Sequence, residues 1–195
     1  MKIFKHLYHK YKCQAIIKKH ADYKREKYED RNVLENIIFP YVLANFNPKT
    51  ILDIGREDYQ GFYNEFFEGR ELWTLDYNPE HKEYGMPGHH IADNAENVKK
   101  HFKNSYFDFI LLNGVIGWGL NDINKIEKTI ADIIDLMKPN GILIIGWNNF
   151  EDIPVIDPKT IKALDRLKPL VFPPLKSARF ECVNGKHTYN FYNKT

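Results

Sequence analysis

Short apolar runs recur through the middle of the chain, at 51–54, 72–75, 107–112 and 142–145. Each is nearly continuous rather than alternating, the pattern of strands buried on both faces. Helical candidates lie between them at 59–67, 95–103 and 122–137. The last is the clearest, with Ile123, Ile126, Ile130, Ile133, Ile134 and Met137 at three-to-four spacing, closed by Pro139-Asn140-Gly141. Strands alternating with helices predict a parallel sheet with right-handed crossovers. Segment 77–92 holds Pro79, Gly85, Pro87 and Gly88, leaving room for only a stub of helix, and 90–94 reads as a further short strand. The end of the chain differs. Residues 178–183 and 187–192 alternate along their length around Asn184-Gly185, a hairpin signal that closes the parallel sheet with an antiparallel pair.

Two helical patterns precede the sheet. Over 2–28, Ile3, Phe4, Leu7, Tyr8, Tyr11 and Ala15 recur at helical spacing, with lysines on the other face. Over 31–46, Val33, Leu34, Ile37, Ile38, Tyr41 and Val42 form a second stripe, with a kink expected at Pro40 and an end at Asn47-Pro48. The chain is read as a basic helical extension, 1–29, followed by one α/β domain, 30–195.

Charge sharpens that division. The 195 residues carry a net charge of only +2, but residues 1–27 hold nine Lys/Arg against Asp22 and Glu26, so a basic arm precedes a mildly acidic body. Hydrophobic content of 43% supports a core and argues against global disorder. Cys13 and Cys182 have no CxxC spacing, so neither a zinc site nor a disulfide framework is expected, and a reducing compartment fits. No apolar run approaches the ~20 residues of a spanning helix, and lysines interrupt the N-terminus where a signal peptide would be apolar, so the expected location is the cytoplasm.

The candidate chemistry begins at the turn after the first strand, "TILDIGREDYQG" (50–61). It lacks Gly-x-Gly-x-x-Gly and Gly-Lys-Ser/Thr, and Glu57 and Asp58 would repel a pyrophosphate. A cationic ligand without phosphate suits an acidic loop, and S-adenosylmethionine, with its ammonium and sulfonium, is such a ligand. Asp53 then faces the amino-acid portion, Gly55 lets the backbone turn and approach, and Arg56 and Glu57 of the same loop are expected to bind the cofactor as well. Asp76, 21 residues beyond Gly55, has oxygens for both ribose hydroxyls. Tyr77 lies against the adenine, Asp93-Asn94 accepts from its amino group, and Asn113-Gly114 faces the methionine end.

Five segments in order, "ILDIG" (51–55), "LWTLDYN" (72–78), "IADNAEN" (91–97), "FDFILLNGVIG" (107–117) and "LMKPNGILIIGW" (136–147), resemble the class I S-adenosylmethionine-dependent methyltransferases over about residues 30–192. The closing hairpin fits the same family. The resemblance implies a Rossmann-like seven-stranded sheet of order 3-2-1-4-5-7-6, strand 7 antiparallel, with helices on both faces and the cofactor at the carboxyl ends of strands 1 to 4. The chain departs from the family's Asp-x-Gly-x-Gly-x-Gly by keeping only the first glycine.

The residues after strand 4 narrow the substrate. "NGVIGWG" is not the Asn/Asp-Pro-Pro-aromatic element of enzymes that methylate base or amide nitrogens, and no Pro-Cys nucleophile is present. An O- or N-methyltransferase of a small molecule remains, a surface-glycan or other metabolite precursor being one candidate. Its acceptor wall is expected from Trp118, Asn121, the 77–90 loop, the N-terminal helix and loops near 148–155 and 172–177. Trp118, between two glycines, reads equally as an aromatic platform and as an ordinary packed ring. His89 and His90 are candidates for a general base against the plainer reading of a surface loop pair. Asp122 is a base or, preferably, a helix N-cap, and His187 is read as a structural histidine. The basic arm packs over the body as a lid or homodimer contact, or lies on an anionic surface. Two other functions stand beside the enzyme: a non-catalytic scaffold of the same fold, and a nucleic-acid methyltransferase, against which the modest charge and missing motifs count. No stable nucleic-acid partner and no metal are expected.

Overall fold

A computed structural model describes residues 2–20, 28–149, 156–183 and 186–195. Five parallel strands form in the expected places: β1 (Thr50–Ile54), β2 (Glu71–Asp76), β3 (His90–Ala92), β4 (Phe107–Asn113) and β5 (Met137–Asn148). β6 (Lys168–Pro169), β7 (Arg179–Glu181) and β8 (His187–Asn193) complete the sheet. Its order is β3-β2-β1-β4-β5-β8-β6, with β8 antiparallel to β5 and β7 also paired to β8.

The expected seven strands become eight because the outer edge is one line in two pieces. Lys168 and Pro169 pair with Asn193 and Tyr192, and Arg179 resumes opposite Asn190. The excursion between them is closed by a Phe172–Ser177 bridge and contains Pro173-Pro174, which cannot donate to a ladder. Asn184-Gly185, expected to turn the hairpin, lies outside the described residues, as do 150–155 and 21–27.

Alternate residues of each central strand feed opposite faces. Leu52, Ile110, Leu112, Leu143 and Ile145 pack with α5 (Ile123–Leu136) through Ile126, Ile130, Ile133 and Ile134. On the other face, Ile51, Phe109, Leu111, Ile142 and Ile144 meet α1 (Lys2–Lys19), α2 (Glu29–Val33), α3 (Phe39–Asn45) and α4 (Tyr63–Phe66). The result is a three-layer sandwich whose strand ends share one rim.

Several local expectations change. The predicted kink at Pro40 becomes a π-helical turn, Leu34–Ile38, joining α2 to α3, with Pro40 in the first turn of α3, where its missing N–H is tolerated. The helices expected over 59–67 and 95–103 are shorter: 3-10 turns at Asp58–Gln60 and Ala95–Lys100, and one turn of α4. The turn expected at Pro139-Asn140-Gly141 falls inside β5, where the register shifts and Asn140 takes φ 63°. In α1 the described helix ends at Lys19, and its buried residues are Cys13 and Ile16 rather than the stripe of Phe4, Leu7, Tyr8 and Tyr11, which is exposed. The stripe is real but faces outward, because Cys13 and Ile16 on the opposite side meet the hydrophobic layer.

Candidate functional site

Three strand ends converge at Gly55. Its φ is +96°, and a Cβ there would stand 2.3 Å from the Asn113 carbonyl oxygen and 2.7 Å from Val115 Cγ2. Its N–H donates to Leu75 O at 2.9 Å. Only glycine combines that backbone angle with so close an approach of β1 to β4.

The loop beyond Gly55 is held from inside. Arg56 is fully buried, turned away from the rim, with Nε 3.0 Å from Asp53 Oδ2. Nη1 donates to the Gln60 and Tyr84 carbonyls. The charges are close but poorly aligned: Nε, Nη2 and both Asp53 oxygens lack a hydrogen bond of good geometry among the described residues. Burial pushes the Asp53 carboxyl up and the Arg56 guanidinium down, each partly offset by the other's charge. The buried guanidinium plugs the loop, and Glu57 turns to cap the 58–60 turn, its side chain accepting from the Gln60 backbone while Gln60 Oε1 accepts the Glu57 N–H at 2.7 Å.

Asp76 is buried too, but among N–H donors and beside open space. Oδ2 accepts from the Arg56 N–H at 3.1 Å and Oδ1 from the Asn78 N–H at 2.8 Å, with His81 Nδ1 3.0 Å from Oδ1. A carboxylate offers about four acceptor sites, so Oδ2 keeps one for a further donor. Asp76 lines a cavity of about 370 Å³ with Gly55, Tyr77, Asn94, Trp118 and Gly119, walled by Ile54, Leu75, Val115 and Leu120. Gly119 lies against Tyr77, a Cβ there being 3.8 Å from the ring. Two acids, Asp76 and the Lys125-paired Glu96, with two aromatic rings and aliphatic walls, suit an uncharged or cationic nucleoside.

The structure thus brings Gly55, Asp76, Tyr77, Asn94 and Trp118 to one cavity, while other candidates lie elsewhere. Arg56 points inward, and Glu57 lines a separate open recess with Asp58, Glu80, His81, Glu83 and Tyr84. Asp93 binds His101 Nε2 and Asn97 Nδ2, both at 2.8 Å, which holds its carboxyl below the usual range. His89 stacks on Trp73 at 4.4 Å, and His90 Nδ1 meets Thr74 Oγ1 at 2.9 Å beneath Gly85, so neither ring lines the cavity. Asp122 caps α5, accepting from the Lys125 N–H at 3.0 Å, and Asn121 beside it is exposed. Asn113 is buried at the end of β4, and Gly114 follows with its N–H donating to Gly146 O at 3.0 Å.

His187, read from the sequence as a structural histidine, lies outside the cavity lining. It is buried at the start of β8, its Nδ1 hydrogen-bonded to Asn148 Oδ1, so Nε2 is the bare nitrogen. Nε2 and Asn113 Oδ1 are both buried without a hydrogen bond among the described residues, and both face Gly146, where a Cβ would stand 1.9 Å from Asn113 Oδ1 and 2.8 Å from His187 Nε2. Burial lowers the imidazole to about 4, against the pull of Asp30. The available signal was Gly146 inside an otherwise bulky strand, which marks close approach.

The sequence matches no family model and no curated protein. Solved structures do match. The N-methyltransferase NodS from Bradyrhizobium japonicum WM9, in complex with S-adenosyl-L-homocysteine, aligns over 93% of this chain and 97% of its own with a TM-score of 0.61 at 16% identity. A SAM-dependent methyltransferase from Archaeoglobus fulgidus aligns over 91% and 97%, TM-score 0.61, at 16% identity. The 1,6-didemethyltoxoflavin-N1-methyltransferase of Burkholderia thailandensis aligns over 93% and 88%, TM-score 0.54, at 14% identity. With the strand order, the Gly55 turn and the antiparallel closing strand, these likenesses establish that the chain has the fold of the class I S-adenosylmethionine-dependent methyltransferases.

Proposed function

We propose that the protein is an S-adenosylmethionine-dependent methyltransferase acting on a small molecule. The observation that carries this reading is the cavity at the ends of β1, β2 and β4, with Asp76 on its wall and a lone pair of Oδ2 unused. The cofactor supplies an electrophilic methyl group. On the chain's side, Asp76 accepts a ribose hydroxyl, Tyr77 and Trp118 offer ring faces to the adenine, and Asn94 stands at its edge. Gly55 keeps the backbone tight enough for the nucleoside to sit beside β4. Asn113 and His187 lie at the adjoining strand ends, their Oδ1 and Nε2 buried against Gly146 behind the cavity. Positioning and exclusion of water supply much of the rate in such a transfer.

Neighbours of the same fold include N-methyltransferases, one of them with the small molecule 1,6-didemethyltoxoflavin bound, which supports a small acceptor. The buried free thiols Cys13 and Cys182 support a reducing, cytoplasmic location. Among the described residues no helix is long and apolar enough to cross a membrane.

Methyl-labelled cofactor, incubated with the protein and a fractionated cell extract, tests the reading. Label in the low-mass fraction is expected, while label confined to nucleic acid or protein contradicts it. A second reading, a non-catalytic binding protein of this fold, is favoured by one observation: Asp53 is engaged by Arg56. Cofactor binding with no label transferred to any fraction supports that alternative.

A further inference from the structure

Helix α1 carries apolar residues on two opposite faces, and the body covers one. Cys13 and Ile16 pack into the layer formed with α3 and α4. On the far side Phe4, Leu7, Tyr8 and Tyr11 are 76%, 41%, 64% and 67% exposed. Their i, i+3, i+4, i+7 spacing lines them up on a single strip. Contiguous apolar surface of this kind marks an interaction site more often than chance exposure.

The charge around the strip is of one sign. The span of α1 holds six lysines and no acid. Lys12 and Lys19 tie the helix to the body through Glu68 and Glu65, each at 3.1 Å. Lys5, Lys10 and Lys18 are exposed and make no ion pair among the described residues. The acids of the chain are concentrated in the body, so the arm alone suits an anionic partner.

We propose that this outer face of α1 seats the protein on an anionic bilayer surface. Phe4 and Leu7 enter the headgroup–acyl boundary, the tyrosine rings lie there with their hydroxyls toward water, and Lys5, Lys10 and Lys18 meet anionic headgroups. A basic helix with an aromatic and aliphatic strip lies in the interface rather than spanning it. A second copy would set two strongly basic arms against each other, and a nucleic acid would use the lysines but leave the strip uncovered. The inference is independent of the methyltransferase reading.

The test is flotation of the full chain with phosphatidylcholine vesicles, neutral or containing about 30% phosphatidylglycerol. Binding to the anionic vesicles only is expected, weakened by added salt. Leu7→Glu with Tyr11→Glu, and separately Lys5→Glu with Lys10→Glu, are each expected to lower it at least about tenfold. All four positions are exposed, so unchanged thermal melting shows that the variants are folded. The proposal is overturned if the folded protein stays off anionic vesicles, binds neutral ones equally, or is unaffected by either pair. A concentration-dependent dimer lost in the Leu7 pair, or salt-sensitive RNA capture lost in the lysine pair, without vesicle binding, also overturns it and assigns the face to that partner.

Discussion

Asp53 and Asp76 sit at the carboxyl ends of neighbouring parallel strands, both buried, yet the chain uses them differently. Asp53 lies in the end of β1 against the Arg56 guanidinium, with no well-aligned donor. Asp76 closes β2, takes two backbone N–H groups and borders the cavity. The first carboxylate is bound up in holding a glycine-poor loop in shape, while the second remains available to a ligand. From the sequence both acids are expected to contact the cofactor, and these roles are not distinguished there. The surroundings decide.

The strongest way to break the comparison is at Arg56. Arg56→Met leaves Asp53 as a buried, uncompensated charge and is expected to cost about 3–5 kcal/mol in urea denaturation, most of it recovered by adding Asp53→Asn. A loss within experimental scatter would mean that the ion pair does not hold the loop.

A buried base sharpens the contrast next. His187 is held down to about 4 from 6.5 by burial. The unfolded chain binds its proton below about pH 6.5 and the folded chain does so only near 4. Stability from this group is therefore full above about pH 6.5 and falls as the pH drops toward 4, by up to about 3 kcal/mol. Denaturation at pH 7 and pH 5 measures the slope, which His187→Gln is expected to flatten. An unchanged slope would place the acid sensitivity in other groups.

Two smaller substitutions separate cavity from scaffold. Asp122→Ala removes the α5 cap and should destabilise the fold by about 1 kcal/mol while leaving cofactor affinity alone. Altered affinity would mean that Asp122 reaches the ligand. Trp118→Ala, on the cavity wall, should do the reverse: unchanged melting, with binding of S-adenosyl-L-homocysteine weaker by about 0.5–1.5 kcal/mol by calorimetry. Intact affinity would remove Trp118 from the adenine's surroundings.

Much of the scaffold was readable in the residues. The runs over 51–54, 72–75, 107–112 and 142–145 are strands because each supplies bulky side chains to two layers at once, a demand few other structures make. Asp122 as a cap and the antiparallel end at 187–193 follow from equally local rules. What was not readable depended on direction. Helical spacing found the strip of Phe4, Leu7, Tyr8 and Tyr11 but not which side of α1 the body would cover. The loop sequence marked Arg56 and Glu57 as cofactor-binding residues, yet Arg56 turns inward and Glu57 binds its own turn. Asp93 was expected to accept from the adenine amino group but is engaged by Asn97 and His101. The meeting of His187 with Asn113 and Gly146 depends on three strands from distant parts of the chain.

The most direct test of cofactor binding beside Asp76 is calorimetric titration of the folded protein with S-adenosyl-L-homocysteine, with Asp76→Ala in parallel. Binding in the micromolar range is expected, weakened at least about tenfold by the substitution, since a hydrogen bond to a carboxylate is worth about 1.5–3 kcal/mol. No heat of binding at about millimolar ligand, or equal affinity in the two proteins, would contradict the claim that the cavity beside Asp76 holds the cofactor.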